Sequence, residues 1–196
     1  MKGVRALPAI LDRPASDGND SLRSKAATNP MDSQIVSQST TSQPSSAPLT
    51  FEELEVGDTW TSPARTITET DIVNFACLTG DFNPLHVDRE HARDTPYKGR
   101  IAHGLLGLSY MAGLGSYSPN VDTAAFIQIL NWRFERPIYI GDTIHVVTEV
   151  IAKRPNGRRR GQITWRRRVV NQHNEVVQEG EVETLVMRAV SRTLPR

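Results

Sequence analysis

Residues 101–114 read Ile-Ala-His-Gly-Leu-Leu-Gly-Leu-Ser-Tyr-Met-Ala-Gly-Leu, an apolar run with no Asp, Glu, Lys or Arg. It is too long for a typical strand and well short of the roughly 20 residues that cross a bilayer. A helix apolar on most sides must be buried, and its glycines and alanines allow close backbone approach. Four segments rich in β-branched residues follow, at 126–134, 143–151, 162–170 and 176–188. Gly141-Asp142 marks a turn before the second, and Asn156-Gly157 is a hairpin dipeptide between the second and third. One buried helix followed by antiparallel strands predicts an α+β domain whose sheet wraps that helix. There is no internal repeat.

The chain has 196 residues, room for one ordinary domain. Residues 1–50 hold most of the polar excess and show no sustained period of 2 or 3.6. The Ser/Thr/Gln/Pro-rich part after Asp32 has too little apolar surface to offset roughly 1–2 kcal/mol per residue of lost backbone freedom. We read residues 1–50 as a disordered tail, 51–190 as the domain and 191–196 as a short C-terminal tail. Arg5, Arg13 and Arg23 raise a transit peptide as the alternative, against which stand Asp12, Asp17 and Asp20. Met31 offers an alternative start. The run from Ala6 to Leu11 is short and holds Pro8, a poor signal-peptide core. The single cysteine, Cys77, excludes a disulfide framework and a multi-cysteine metal site. With 23 basic and 22 acidic residues, the chain as a whole is no polyanion binder. A cytoplasmic protein that binds neither membrane nor nucleic acid is expected.

The domain opens with a turn-closed segment at 51–58 and a polar strand around 60–67. Thr68-x-x-Asp71 is a capping signature. Ile72, Phe75, Ala76 and Thr79 then fall at helical spacing up to Gly80, a C-terminal stop. Cys77 within this helix reads as a small buried hydrophobe. Residues 81–88 (Asp-Phe-Asn-Pro-Leu-His-Val-Asp) read as extended or turn, because Pro84 pushes Asn83 out of the helical region. A short helix at 89–94 follows, capped by Asp88.

Asp81-x-Asn83-Pro84-x-His86-x-Asp88, then Gly99-Arg-Ile-Ala-His103-Gly104, then Phe134-x-x-Pro137-x-x-x-Gly141-Asp142 resemble the MaoC-like dehydratase family, the (R)-specific enoyl-CoA hydratases. The likeness runs from about residue 51 to 188. It implies a hot-dog fold, a long central helix wrapped by an antiparallel sheet, in agreement with the order of elements above. It also implies a homodimer, an acyl-thioester substrate and no metal or other cofactor, coenzyme A being part of the substrate. The catalytic pair it implies falls on Asp81 and His86.

Adding water to an enoyl thioester needs a base for the water proton, an acid for the α-carbon and a donor for the enolate oxygen. A carboxylate and an imidazole five residues apart across a proline-shaped turn can reach one water. The pair is expected to titrate as a unit, and which member first takes the proton stays open. Asn83 is expected to orient the pair by hydrogen bonding. Gly104, at the start of the central helix, offers an orphan N–H and the positive end of the helix dipole to the thioester oxygen. His103 reads equally as a helix-start structural histidine or a substrate contact. Ser109 lies where the family often meets substrate, although a side chain facing a helical neighbour, with no substrate role, explains it as well. Asp81, His86 and His103 have no metal-ligand spacing.

Lys153, Arg154, Arg158, Arg159, Arg160, Arg166, Arg167 and Arg168 fall in a stretch without acids. Arg158, Arg159 and Arg160, in the turn, are candidates for the coenzyme A phosphates. Arg166 and Arg168 read as cross-strand partners of glutamates on the following strand. The expected reaction interconverts a trans-2-enoyl thioester and its (R)-3-hydroxyacyl thioester, coenzyme A being favoured over an acyl-carrier protein. A hot-dog thioesterase would leave the Asp81/His86 spacing and Asn83-Pro84 unexplained. A non-catalytic acyl-CoA-binding scaffold subunit would leave an intact acid/imidazole pair without use.

Overall fold

The computed structural model describes residues 47–189. The expectations for residues 1–46, Met31 and residues 191–196 lie outside them. Pairing begins earlier than expected from the sequence, because Leu49 bridges Val121 in parallel. At the other end, Arg188 and the Ala189 N–H both donate to the Glu52 carboxylate.

After a 3₁₀ turn, Phe51–Glu53, come the strands β1, Thr59–Thr61, and β2, Arg65–Thr66, where one strand was expected. Four helices follow: α1, Glu69–Thr79; α2, Pro84–Val87; α3, Arg89–Asp94; and α4, Gly104–Leu114. The last third forms β3, Thr123–Phe134; β4, Thr143–Asn156; β5, Arg160–Val170; and β6, Val176–Met187. Its antiparallel sheet has the order β1-β4-β5-β6-β3, with β2 also on β4. Asn156 opposes Arg160, so three residues close the β4–β5 hairpin and Gly157 takes φ +73°. This is the expected α+β arrangement, with α4 laid on the sheet.

Alternation decides which side chains meet α4. On β5, Ile163, Trp165 and Val169 point inward, joined by Val146 and Val150 of β4 and Val177, Val182 and Val186 of β6. Helix α4 buries Leu106, Gly107 and Met111 against them. At Gly107 the approach is closest, since an added Cβ would lie 2.2 Å from Gln178 Nε2. The expectation that α4 is buried on most sides is corrected: Leu105 is 58% exposed and Ser109 stands in solvent. Edge strand β3 differs too, its Phe126, Ile127, Ile129, Leu130 and Phe134 being 41–51% exposed. Cys77 is exposed, not buried, because α1 turns only Ile72 and Ala76 fully inward. No helix among the described residues is long and apolar enough to cross a membrane.

The capping signature forms as read. Asp71 N–H donates to Thr68 Oγ1 at 3.3 Å, and the Asp71 carboxylate accepts from Thr68 N–H at 2.8 Å. Asp71 also pairs with Arg65 of β2 at 2.7 Å and accepts from Tyr110 of α4. Burial alone would raise its pKa. The hydrogen bonds from Tyr110 and Thr68 and the bond from Arg65 outweigh that, holding it well below the ordinary 3.8. A carboxylate depressed on folding adds stability above its unfolded pKa, and that stability is lost as pH falls toward the folded value. Asp71→Asn is therefore expected to lower stability by about 1–2 kcal/mol at pH 7. From about pH 4 downward the difference between wild type and variant should narrow progressively, as read from urea melts across pH.

Candidate active site

The site forms where the segment after α1 folds back on the start of α4. Gly80, at φ +76°, ends α1 in the left-handed conformation and donates its N–H to the Ala76 carbonyl. The chain then reaches Asp81, whose carboxylate accepts the Asn83 N–H at 3.3 Å. Asn83 Oδ1 accepts the Leu85 N–H at 3.0 Å, and Pro84 occupies the first turn of α2. Residues 81–88 thus hold a four-residue helix where an extended turn was expected. Pro84 keeps Asn83 out of the helical region, yet its own fixed φ suits a helix start. Asn83 therefore orients His86 by capping the helix that carries it, and its side-chain oxygen bonds backbone rather than either catalytic candidate.

His86 Nδ1 lies 2.8 Å from the Ile101 carbonyl. A carbonyl can only accept, so Nδ1 carries a proton, and in the neutral ring the lone pair is on Nε2. Buried His103, 3% exposed, donates Nε2–H to the Asp81 carbonyl at 2.9 Å. Its ring stacks on His86 at 3.8 Å between centroids and lies 5.1 Å from Phe75. One donor atom from each of Asp81, His86 and His103 lies within 4.8 Å of the others. A carboxylate and two imidazoles this close could also hold a cation. The structure brings Asp81 and His86 together as expected and gives His103 a positioning role, fixing the backbone of Asp81.

Gly104 opens α4, beside the exposed ring of Phe134; an added Cβ would lie 3.0 Å from Phe134 Cε1. As the first helical residue it has no intrahelical acceptor for its N–H. Its carbonyl is held from below by Gln178 Nε2 at 3.0 Å, while Gln178 Oε1 accepts Trp132 Nε1–H at 3.2 Å. Sequence reasoning missed Gln178. Its signal was a polar residue at an inward position of an alternating strand. The Ile101 carbonyl that sets the His86 tautomer was missed too, and no side-chain pattern could have marked it.

Ser109 lies on the exposed face of α4 and donates to the Leu105 carbonyl of its own helix. Arg158, Arg159 and Arg160 are not brought to this site within one chain. The β4–β5 turn sits beside Met187, nine residues along β6 from Gln178, or about 30 Å. Arg166 pairs with Glu181 at 3.5 Å and Glu149 at 3.8 Å, and Arg168 with Glu149 at 3.8 Å. Arg166 thus pairs with the following strand as expected, whereas Arg168 pairs with Glu149 of the preceding strand β4 instead. Arg167 points the other way, into the interior.

The MaoC like domain model matches residues 53–172, more than half of the chain. The chain belongs to the MaoC-like dehydratase family. It is 39% identical over 134 residues to a 3-hydroxybutyryl-CoA dehydratase of Methylorubrum extorquens, covering 68% of this chain and 81% of that protein. To an (R)-specific enoyl-CoA hydratase of Rhodospirillum rubrum it is 35% identical over 137 residues, covering 69% and 90%. A match to Protein MaoC of Klebsiella aerogenes, 42% over 96 residues, spans 29% of that longer protein. An R-hydratase of Pseudomonas aeruginosa superposes with a TM-score of 0.61 at 30% identity, over 76% of this chain and 95% of the other. A double hot-dog protein of Mycobacterium tuberculosis, at 20% identity and TM-score 0.68 over 76% and 47%, shares the fold. The domain is a hot-dog of the MaoC-like hydratase and dehydratase family.

Gln178→Leu removes the only side chain bonded to both Gly104 and Trp132 among the described residues. The half-buried Trp132 Nε1–H would lose its partner and the Gly104 carbonyl its side-chain bond, which together cost about 1–3 kcal/mol. A matching drop in melting stability is the expected result.

Proposed function

We propose that this chain is a cofactor-free hydratase/dehydratase interconverting trans-2-enoyl-CoA and (R)-3-hydroxyacyl-CoA in the cytoplasm. The observation that carries the proposal is the tautomer lock on His86. With Nδ1–H held by the Ile101 carbonyl, Nε2 is the ring nitrogen left to act as base near the Asp81 carboxylate, and His103 of the same cluster directly precedes Gly104. The three functions of hydration then have three groups. The Asp81/His86 pair holds the water and accepts its proton as the oxygen bonds to C3. The pair returns that proton to C2 on the same face and leaves unchanged. Negative charge gathering on the thioester oxygen is met by the Gly104 N–H and the positive end of α4. Exposed Phe82, Leu105 and Phe134 adjoin the site in sequence or space and offer apolar surface to an acyl thioester. Relatives named as CoA hydratases support coenzyme A as the carrier, while a mitochondrial 3-hydroxyacyl-[acyl-carrier-protein] dehydratase of Arabidopsis thaliana, at 30% identity, keeps the alternative in the assay.

The same reading includes a homodimer. Strand β3 pairs only β6 among the described strands, and it exposes large apolar side chains on both faces along an edge of open N–H and C=O groups. Such an edge templates pairing with another strand, and a second copy would cover β3 and the exposed face of α4 together.

Crotonyl-CoA should lose its conjugated absorbance with wild-type protein in the presence of EDTA, and the product should be oxidised only by the (R)-specific dehydrogenase. Asp81→Asn and His86→Ala should each lower turnover by roughly 10²–10⁴-fold. Release of free thiol from saturated acyl-CoA without hydration would instead establish a thioesterase. Wild type should elute as a dimer by light scattering, and Ile129→Glu, a charge set in the β3 edge, should shift it to monomer.

A further inference from the structure

At the C-terminal end of α4, about 16 Å of helix from Gly104, the inward row of β5 contains a charge. Ile163, Trp165, Arg167 and Val169 share one face, and Arg167 is 7% exposed. A buried guanidinium is ordinarily paired with a carboxylate, because an unpaired charge in the interior is costly. Arg167 has no ion-pair partner among the described residues. Its Nη1 hydrogen-bonds only Met111 Sδ and its Nη2 only the Gly115 carbonyl, both at 3.5 Å, Nε has no hydrogen-bond partner, and the guanidinium lies 5.9 Å from the centroid of the Trp165 ring. Its neighbours Arg166 and Arg168 face the opposite side and form ion pairs with glutamates there. Burial alone pushes the pKa of Arg167 down to about 10, which leaves it charged at neutral pH.

The surroundings are shaped to it. Gly115 makes room, since a Cβ there would lie 2.8 Å from Arg167 Nη1. The guanidinium lines a cleft of about 230 Å³ between the end of α4 and strands β3 and β5. Phe126, Pro119 and Val121 give that cleft apolar walls, and the hydroxyl groups of Thr123 and Thr184 give it donors beside the cation, the Ser116 hydroxyl being donated to the Ala112 carbonyl. Thr184 Oγ1 already accepts from Trp165 Nε1 at 2.8 Å, so its own proton remains to donate.

We propose that this cleft is a carboxylate subsite, in which Arg167 binds the head of a short aliphatic carboxylate and the apolar walls take its chain. A carboxylate presents two oxygens in the plane of the guanidinium fork, the geometry Arg binds most strongly. The same head group has two sources: a free short-chain acid, or the far end of an acyl group that carries a second carboxylate. Lying at the opposite end of α4 from Asp81 and His86, the subsite can be tested by binding alone, whatever reaction the enzyme catalyses.

The test is calorimetric titration of the full chain with hexanoate, hexanol and hexylammonium at matched ionic strength. Saturable binding of hexanoate alone is expected, with a roughly 10–100-fold loss of affinity in Arg167→Met. That variant should melt no lower than wild type, since it removes an unpaired buried charge. Should it fail to fold, the three-ligand series on wild type and on Arg167→Lys, which keeps the charge but loses the fork, still decides the question. Equal binding of hexanol, hexanoate binding unchanged in Arg167→Met, or no binding at all would overturn the proposal. So would a dimer weakened by Arg167→Met with no hexanoate binding, because a carboxylate of the second copy would then be the partner. A preference of the wild-type enzyme, lost in Arg167→Met, for ω-carboxylated over plain enoyl-CoA of equal length would identify the acyl chain as the source. Hexanoate binding without that preference would identify the free acid.

Discussion

The contact between the first turns of α4 and strand β6 holds this domain in working order. Gly107 brings no side chain to that contact, so Gln178 can lie against the helix and bond the Gly104 carbonyl. The helix start is thereby fixed at a set height above the sheet, with its carbonyl occupied below and its N–H left facing outward. His103, the next residue back, is buried by the same docking and reaches Asp81 from there. A side chain on Gly107 would displace Gln178, and with it the Gly104 carbonyl that positions the proposed oxyanion donor.

Backbone atoms set much of the site's chemistry. Asp81 is placed through its main-chain carbonyl, His86 is oriented by the carbonyl of Ile101, and Asn83 acts by capping. Segment 81–88 has little core of its own: α2 buries no residue fully, and Asp81 itself is exposed. It is held in place by these bonds and by the stack of His86 on His103. A segment so held can present its exposed side chains to a ligand while its backbone stays fixed.

Strand alternation accounts for the fate of the arginines. Three consecutive arginines on β5 read alike in the sequence, yet the pleat sends Arg166 and Arg168 to the outer face and Arg167 inward. On the outer face the register places Glu149, Glu179 and Glu181 opposite or diagonal to them. Inside, the register provides no acid, and the contrast between ion-paired neighbours and a centre without a carboxylate singles out Arg167.

Local chemistry carried much of the fold into the sequence. A capping residue acts within one turn, a left-handed glycine within one peptide, and alternation within one strand, so α1, α3 and the four long strands were legible from their own residues. The Asp81/His86 pairing was legible for the same reason, since five residues and a proline keep the two groups close wherever the segment lies. The rest depended on atoms distant along the chain. The His86 tautomer depends on a carbonyl 15 residues away, the height of Gly104 on Gln178, 74 residues away, and the isolation of Arg167 on which strands lie beside it. Exposure of Cys77, of β3 and of the outer face of α4 was likewise set by what the sheet left uncovered. Composition determined an apolar helix and a β-rich sheet; only their packing decided which face of each was buried and which charges found partners, because burial and pairing belong to neighbours in space.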